Sequence, residues 1–301
     1  MAASVPNRSA SLRRSLAVLA ALSGALCSAA PLQVVSLATV LTEIAGQVGG
    51  PEVAVQALVR PGVDPHTFEP APGDLRAIAG ADLVLAAGLG LEPYLDRLAA
   101  NAGTRGRIAE VGDALSGSLL YLEQDGRREA DPHWWNSVPA TITIVRRVAA
   151  ELTELRPAAG PQFAARAQAY TEQLEALDRW IRGEVGAIPA GRRQLVTTHD
   201  AFGWFARDYG FTVHAISGIS PEAEPNARDL AGLVDFIRRE RIPAIFIEAG
   251  ANSRLVAAVQ EETGVRLGGE LYPDGLMPEG EGSTYAGLMR HNVRTIVAAL
   301  Q

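Results

Sequence analysis

The chain has 301 residues, 48% of them hydrophobic, and its formal net charge is −7. This length allows about two domains or one large one, and the acidic balance argues against nucleic acid or an anionic membrane as a partner. Every basic residue is an arginine, which excludes a Schiff-base lysine and a phosphate-loop lysine.

The first 29 residues have the layout of a secretory signal peptide. Three arginines precede an apolar run at 15–26, and small residues follow at 28–30. The run is too short to span a bilayer, which needs about 20 apolar residues. We predict export to the periplasm with cleavage after Ala29, which would leave the exported chain without cysteine. A lipid anchor on Cys27 is the less favoured alternative, because Leu26 stands where a lipoprotein signal has a small residue.

After the signal, short apolar runs alternate with helical patterns. The runs predict strands at Val34–Val40, Val53–Val59, Asp82–Ala87, Arg107–Val111, Leu195–Thr198, Phe211–Ile216, Ala244–Ile247 and Val265–Leu271. The helical patterns between them are Leu91–Ala102, Asn226–Glu240, Ser253–Thr263 and Thr284–Leu300. Such alternation is typical of parallel sheets with helices on both faces.

The middle of the chain breaks this alternation with two successive helical patterns, Pro139–Leu155 and Pro161–Val185. The second would be roughly 37 Å long, enough to cross a small domain. We therefore predict an α/β protein with two doubly wound parallel-sheet lobes joined by a long rigid backbone helix. The N-terminal metal-binding lobe would be 30–156, the linking helix 157–188 and the C-terminal metal-binding lobe 189–301. One continuous doubly wound sheet is the alternative.

Four candidate metal ligands stand in loops after predicted strands or at a loop apex. They are His66, His133, His199 and Asp274. Ligands of parallel α/β sheets bind beyond the carboxyl ends of the strands, so two residues from each half would face one another across a cleft. Three neutral imidazoles with one carboxylate suit Zn²⁺. A single loop histidine is more often solvated than a ligand, and no spacing here is as specific as that of a zinc finger.

The tripeptide Asp-Pro-His occurs twice, at 64–66 and at 131–133. Proline stiffens each loop, and the aspartate can accept a hydrogen bond that orients the imidazole. The other two histidines fit ordinary roles, since His214 lies in a strand pattern and His291 on the last helix. Trp134 and Trp135 could shield a cleft from water or simply belong to the core.

Five segments together resemble the zinc and manganese family of metal-binding substrate-binding proteins of ABC transporters. They are GVDPHTFEP (62–70), ADLVLAAGLGLEPYLDRL (81–98), DPHWW (131–135), TTHDAFGWFARDYG (197–210) and LYPDG (271–275). The resemblance implies two lobes with the metal between them, bound by His66, His133, His199 and Asp274. It also implies an ABC permease in the inner membrane with its cytoplasmic ATPase as partners. We expect the binding protein itself to be a monomer.

Two departures from that family stand beside the second ligand. Many zinc members carry a long His- and acid-rich loop there, whereas residues 115–130 are short and contain no histidine. The short segment resembles that of members served by a separate zinc metallochaperone. Asn136 and Ser137 also replace the more usual Leu-Asp, which leaves the contacts around the second ligand open.

The sequence thus predicts a periplasmic protein that binds Zn²⁺ as its transported ligand and delivers it to an ABC importer. One rival is a manganese carrier of the same fold, which would favour more oxygen ligands. Another is a carrier of chelated metal or corrinoid, with a wide aromatic or Arg-lined cleft. A zinc hydrolase is disfavoured, because four protein ligands leave no position for water and no motif places Asp200 or Glu222 as a base.

Overall fold

The computed structural model describes Met1 and residues 30–124, 127–218, 227–250 and 253–301. The predicted signal peptide with Cys27 therefore lies outside the described residues except for Met1, and so does Glu222. Pro31–Gln301 form one compact unit, and the boundaries of two lobes stay a prediction. None of the helices in the described ranges is long and apolar enough to cross a bilayer.

Parallel strand pairing dominates the described part of the chain. The strands are β1 (Leu32–Ser36), β2 (Val53–Ala57), β3 (Leu83–Ala86), β4 (Arg107–Glu110), β5 (Tyr121–Gln124), β6 (Arg127–Ala130), β7 (Gln194–Thr197), β8 (Thr212–Ala215), β9 (Ala244–Glu248) and β10 (Arg266–Leu271). The first four form a parallel sheet in the order β2-β1-β3-β4. In the C-terminal half β7 pairs with β8 and β9 with β10, both in parallel, and β7 also packs beside β9. Only β5 and β6, among the strands described, pair antiparallel.

The sheets that contain β1 and β7 bury side chains on both of their faces, as a doubly wound arrangement requires. Successive residues of β1 enter different hydrophobic clusters: Val34 joins the large central core, and Val35 joins a smaller cluster on the opposite face. In β7 the same alternation separates Leu195 from Val196. The two outer clusters are distinct, whereas the central core contains residues from both halves of the chain. This shared core holds the loops of the two halves in place near one another.

Helices follow most strands and cover the sheets. They are α1 (Thr39–Gly49), α2 (Pro72–Ala79), α3 (Leu95–Ala102), α4 (Val138–Leu155), α5 (Gly160–Gly186), α6 (Gly203–Tyr209), α7 (Ala227–Glu240), α8 (Ser253–Thr263) and α9 (Tyr285–Leu300). The longest, α5, has 27 residues and packs on α4, α1 and α9. Its buried stripe is the one that the sequence pattern gives: Phe163, Ala167, Tyr170, Leu174, Leu177 and Ile181. The prediction of an α/β fold with parallel sheets and a long helix is confirmed.

The structure corrects several element boundaries. The run Val34–Val40 is not one strand, because β1 ends at Ser36 and Thr39 begins α1. The Ser36 hydroxyl donates to the carbonyl of Ala38 at 2.8 Å, which helps to turn the chain between the two elements. Helix α3 begins at Leu95 rather than Leu91, because the preceding Glu92-Pro93 lies in a turn. The segment 115–130 includes the hairpin strands β5 and β6, which lead directly into Asp131.

Candidate metal centre

The four candidate ligands lie in four loops that meet at one point. His66 lies in the loop between β2 and α2, and His133 lies just after β6, before a short 3₁₀ turn at Trp134–Asn136. His199 follows β7 by two residues, and Asp274 follows β10 by three. Three of the four loops thus leave the carboxyl end of a parallel strand, which is where such folds place their ligand sites.

Their donor atoms form a tight cluster, with one atom from each residue lying within 4.8 Å of the others. The Nε2 atoms of His66 and His133 lie 3.1 Å apart. The Oδ1 atom of Asp274 lies 3.6 Å from the Nε2 of His66, 3.7 Å from that of His133 and 3.3 Å from that of His199. Such a cluster of lone pairs could hold one cation.

Burial of the four residues is uneven. The side chains of His133 and His199 are fully buried, whereas those of His66 and Asp274 retain 10% and 15% of their exposure. The Nε2 of His199 and the Oδ1 of Asp274 are buried without a hydrogen bond of acceptable geometry, despite the 3.3 Å between them. A buried polar atom without a partner is costly, so a ligand that satisfies both atoms would be favoured.

His133 is held by the aspartate of its own Asp-Pro-His loop. The Oδ1 of Asp131 accepts from the backbone N–H of His133 at 2.9 Å and also lies 2.9 Å from its Nδ1. A neutral imidazole that donates through Nδ1 carries its lone pair on Nε2, which faces the cluster. Gly203, the first residue of α6, allows the chain that follows His199 to lie close to Asp131. A Cβ at this position would lie 2.6 Å from the Oδ2 of Asp131.

The other Asp-Pro-His loop makes only half of this arrangement. The Oδ1 of Asp64 accepts from the backbone N–H of His66 at 2.8 Å, and its Oδ2 accepts from the Thr67 hydroxyl. In the described part of the chain, no side-chain carboxylate forms a hydrogen bond with the Nδ1 of His66. The expectation that the aspartate orients the imidazole therefore fits the second loop and not the first.

His199 is held by a residue that sequence reasoning missed. The Oε2 of Glu248, at the end of β9, lies 2.5 Å from the Nδ1 of His199 and accepts from its backbone N–H at 3.1 Å. An acidic residue that ends a buried apolar strand is the signal that could have found it. That signal is weak by itself, because it becomes informative only once β7 and β9 are known to be neighbours.

The second ligand loop fastens the other loops together. The indole N–H of Trp135 donates to the carbonyl of Pro273 at 2.5 Å, next to Asp274. The side-chain amide of Asn136 donates to the carbonyls of Ala201 and Pro273 at 2.9 and 3.1 Å. Both residues are buried, so Trp135 serves the site and the core at once. Asn136 thereby acquires a definite role, that of tying the third and fourth ligand loops to the second.

The charges around the cluster favour a positive charge at its centre. Burial lowers the pKa of His133 and outweighs the carboxylate of Asp131. Burial opposes charge on His199 as well, but Asp274 and Glu248 outweigh it and raise its pKa well above the ordinary value. Burial also acts to raise the pKa of Asp274, yet the histidines, His199 above all, hold it far below its usual range. Burial raises the pKa of Glu248, and His199 beside it offsets part of this effect.

The remaining candidates lie apart from the cluster. The Nε2 of His214 is paired with the Gln194 side chain at 3.0 Å, and the Nε2 of His291 lies 3.1 Å from the carbonyl of Glu270. Asp200 follows His199, but its side chain is not part of the cluster, and burial raises its pKa to about 6. The backbone N–H of Asp200 donates to the carbonyl of Gly218.

Comparison with known proteins gives consistent similarities across most of the chain. A family model described as ZnuA, zinc-uptake complex component A, periplasmic, matches residues 34–299. The chain is 38% identical over 256 residues to the zinc-binding protein TroA of Treponema pallidum (strain Nichols), covering 83% of this chain and 82% of that protein. It is 36% identical over 276 residues to the manganese-binding lipoprotein MntA of Bacillus subtilis (strain 168), covering 90% of each.

The fold is also similar to a solved structure, that of the periplasmic zinc binding protein TroA from Treponema pallidum. The TM-score is 0.84 at 35% sequence identity, and the match covers 90% of this chain and 99% of that chain.

Proposed function

This chain belongs to the ZnuA family of metal-binding substrate-binding proteins of ABC transporters, and from that premise we propose that its cargo is Zn²⁺, bound by His66, His133, His199 and Asp274. The family resemblance predicted from the sequence is confirmed. The protein is a solute-binding transport protein and not an enzyme, which sets the zinc-hydrolase alternative aside.

One observation carries the choice of metal: three imidazole nitrogens and one carboxylate oxygen converge in a buried cluster. A tetrahedral zinc ion with bonds of about 2.0–2.1 Å separates its ligand atoms by roughly 3.3–3.4 Å. Four of the six separations among the donor atoms, between 3.1 and 3.7 Å, bracket that value, and all six are within 4.8 Å. These separations support a site for one tetrahedral zinc ion.

The chemistry of the donors supports the same choice. Manganese is better served by oxygen-rich sites of higher coordination number, and the affinity order at a given nitrogen site places Zn²⁺ above Mn²⁺. Two of the three imidazoles are fully buried, which leaves little room for the additional waters that a six-coordinate ion would bring. We therefore propose a strong preference for zinc.

A manganese carrier of the same fold is the second candidate, because several relatives carry manganese in their names. Competitive titration of the purified protein with both metals separates the two candidates. Wild type should bind Zn²⁺ far more tightly than Mn²⁺, and His199→Glu should narrow the gap by supplying a harder, charged ligand. Equal affinity of wild type for both metals would overturn the zinc proposal.

Delivery follows from the way in which the site is assembled. His66 and His133 come from the N-terminal half of the chain, and His199 and Asp274 from the C-terminal half. We propose that the permease, driven by its ATPase, separates these loops and so removes ligands from the ion. Deletion of the gene should cause a growth defect in chelated medium that added zinc repairs, and repair by manganese alone would contradict the proposal.

The proposed location is the periplasm, reached through a cleaved signal peptide. The motivating observation is the arginine–apolar–small pattern of residues 1–29. The intact mass of the exported protein distinguishes a cleaved signal peptide from a lipid anchor on Cys27. A chain that begins near Ala30 without lipid is expected, whereas a diacylglyceryl mass on Cys27 would establish the lipid anchor instead.

A further inference from the structure

Glu248 lies beside the proposed zinc site without belonging to its four-ligand cluster. It ends strand β9, and its side chain is only 1% exposed. The Oε2 atom meets His199 at Nδ1, on the opposite side of the ring from the Nε2 that faces Asp274. Nothing in the proposed coordination uses this carboxylate, although burying it is costly.

The carboxylate is fixed between the ends of two neighbouring strands. Its Oε2 accepts from the backbone N–H of His199 at 3.1 Å and lies 2.5 Å from the ring Nδ1. The backbone N–H of Glu248 in turn donates to the Thr198 hydroxyl at 3.2 Å. These contacts tie the ring, and the loop after β7 that carries it, to the end of β9, so the imidazole has little freedom to rotate.

We infer that Glu248 is a positioning residue for metal binding: its carboxylate accepts a hydrogen bond from the Nδ1–H of His199 and so fixes the tautomer whose Nε2 lone pair faces the ion. This inference rests on the proposed function. A neutral imidazole has one donor nitrogen and one acceptor nitrogen, and a carboxylate on one edge decides which is which. Without it, His199 could equally hold its proton on Nε2 and offer the metal nothing.

The negative charge of Glu248 adds to the tautomer effect. Its other oxygen, Oε1, is buried without a hydrogen-bond partner, so the hydrogen-bond contacts of the carboxylate among the described residues are those with His199. A carboxylate on the distal nitrogen makes an imidazole a more basic ligand. His133 has the same kind of contact, since the Oδ1 of Asp131 lies 2.9 Å from its Nδ1. Two of the three imidazoles are therefore polarised by a buried carboxylate.

The test uses zinc titration of the full exported chain and two substitutions at one position. Glu248→Gln retains an acceptor for Nδ1–H but loses the charge, and Glu248→Leu loses both. We expect zinc affinity to fall by about 10- to 100-fold in the glutamine variant, as for other residues that orient metal ligands. The leucine variant should bind more weakly still.

Glu151→Gln is the matched control. Glu151 is equally buried, at 2% exposure, but it pairs with Arg107 and Arg147 and does not belong to the cluster. This variant should lose thermal stability and retain wild-type zinc affinity. Wild-type affinity in Glu248→Gln, or an equal loss of affinity in Glu151→Gln, would overturn the inference.

A measurement on the unaltered protein does not depend on the folding of any variant. In ¹⁵N-histidine-labelled protein loaded with Zn²⁺, the Nδ1 of His199 should carry a proton protected from solvent exchange, and Nε2 should be the metal-bound nitrogen. A proton on Nε2, or zinc on Nδ1, would contradict the inference.

Failure of this inference can be told apart from failure of the proposed function. If wild type binds no Zn²⁺, or if His199→Ala binds it as wild type does, the proposed function itself fails. If wild type binds Zn²⁺ and His199→Ala does not, while both Glu248 variants bind it as wild type does, only the inference about Glu248 fails.

Discussion

The two Asp-Pro-His loops have the same tripeptide, yet they hold their histidines differently. In both, the aspartate accepts from the backbone N–H of the histidine, at 2.8 and 2.9 Å. Only Asp131 also meets the imidazole Nδ1. The tripeptide therefore encodes the local turn, an interaction within three residues. The orientation of the ring depends on what packs around the loop.

The surroundings of the two loops explain the difference. The second loop lies in the central core, where the indole N–H of Trp204 donates to the carbonyl of Asp131 at 2.9 Å and the Trp135 ring lies against His133. The first loop lies at the surface, and its Val63 is 44% exposed. Two residues of the same type thus become one rigid candidate ligand and one candidate ligand near the solvent, and we expect them to contribute unequally to metal binding.

The largest effect is expected from His133→Ala. This change removes one proposed ligand from a fully buried position, where water cannot easily take its place. Structural zinc sites with four ligands bind with about 10–16 kcal/mol, so one buried ligand contributes on the order of 3 kcal/mol or more. Competition against a chromophoric chelator measures the loss. His291→Ala, which removes an imidazole outside the cluster, is the control and should bind zinc normally.

A smaller loss is expected from His66→Ala. His66 keeps 10% of its side-chain exposure, so water can reach the vacated coordination position and replace part of the lost ligand. The loss should be on the order of 2 kcal/mol, measured in the same competition assay. A loss greater than that of His133→Ala would contradict the ranking of the two loops.

Asp131→Asn tests the contact that distinguishes the loops. The amide oxygen can still accept from the backbone N–H of His133, but the negative charge beside the Nδ1 of His133 is lost. Zinc affinity should fall by about 10- to 100-fold, the usual range for residues that orient metal ligands. Isothermal or chelator-competition titration gives the value. Unchanged affinity would mean that packing alone orients His133.

The smallest effect is expected from Asp64→Asn, the matched change in the first loop. Asparagine can accept from the backbone N–H of His66 as the aspartate does, and no contact to the ring is lost. Zinc affinity should stay within about a factor of ten. The free energy of unfolding should fall by about 1 kcal/mol or less, because the amide nitrogen cannot accept the exposed hydrogen bond that Asp64 receives from the Thr67 hydroxyl. An effect equal to that of Asp131→Asn would remove the distinction between the loops.

The sequence predicts the elements that depend on local pattern. Seven of the eight predicted strands overlap the observed ones within two residues at either end, and the buried stripe of α5 follows its helical spacing. Helix α1 was missed because Thr39 and Val40 continue the β-branched run of β1, so only the turn at Ser36 separates the two elements. Propensity alone cannot resolve such a boundary.

The candidate ligands were accessible to sequence reasoning because each stands where a strand ends or a loop turns, and the structure brings all four together. Glu248 was not accessible, because its contact with His199 joins residues 49 positions apart through the packing of β7 beside β9. The roles of Asn136 and Trp135 were hidden for the same reason, since both donate to Pro273, more than 130 residues away.

Zinc K-edge X-ray absorption of the zinc-loaded protein tests the central claim most directly. We predict three imidazole nitrogens and one carboxylate oxygen at about 2.0–2.2 Å, with the multiple-scattering signature of three histidines. The spectrum should be unchanged when His214 and His291 are both replaced by alanine, because neither lies in the cluster. A six-coordinate oxygen-rich shell, or fewer than three histidines, would contradict the four-residue zinc site.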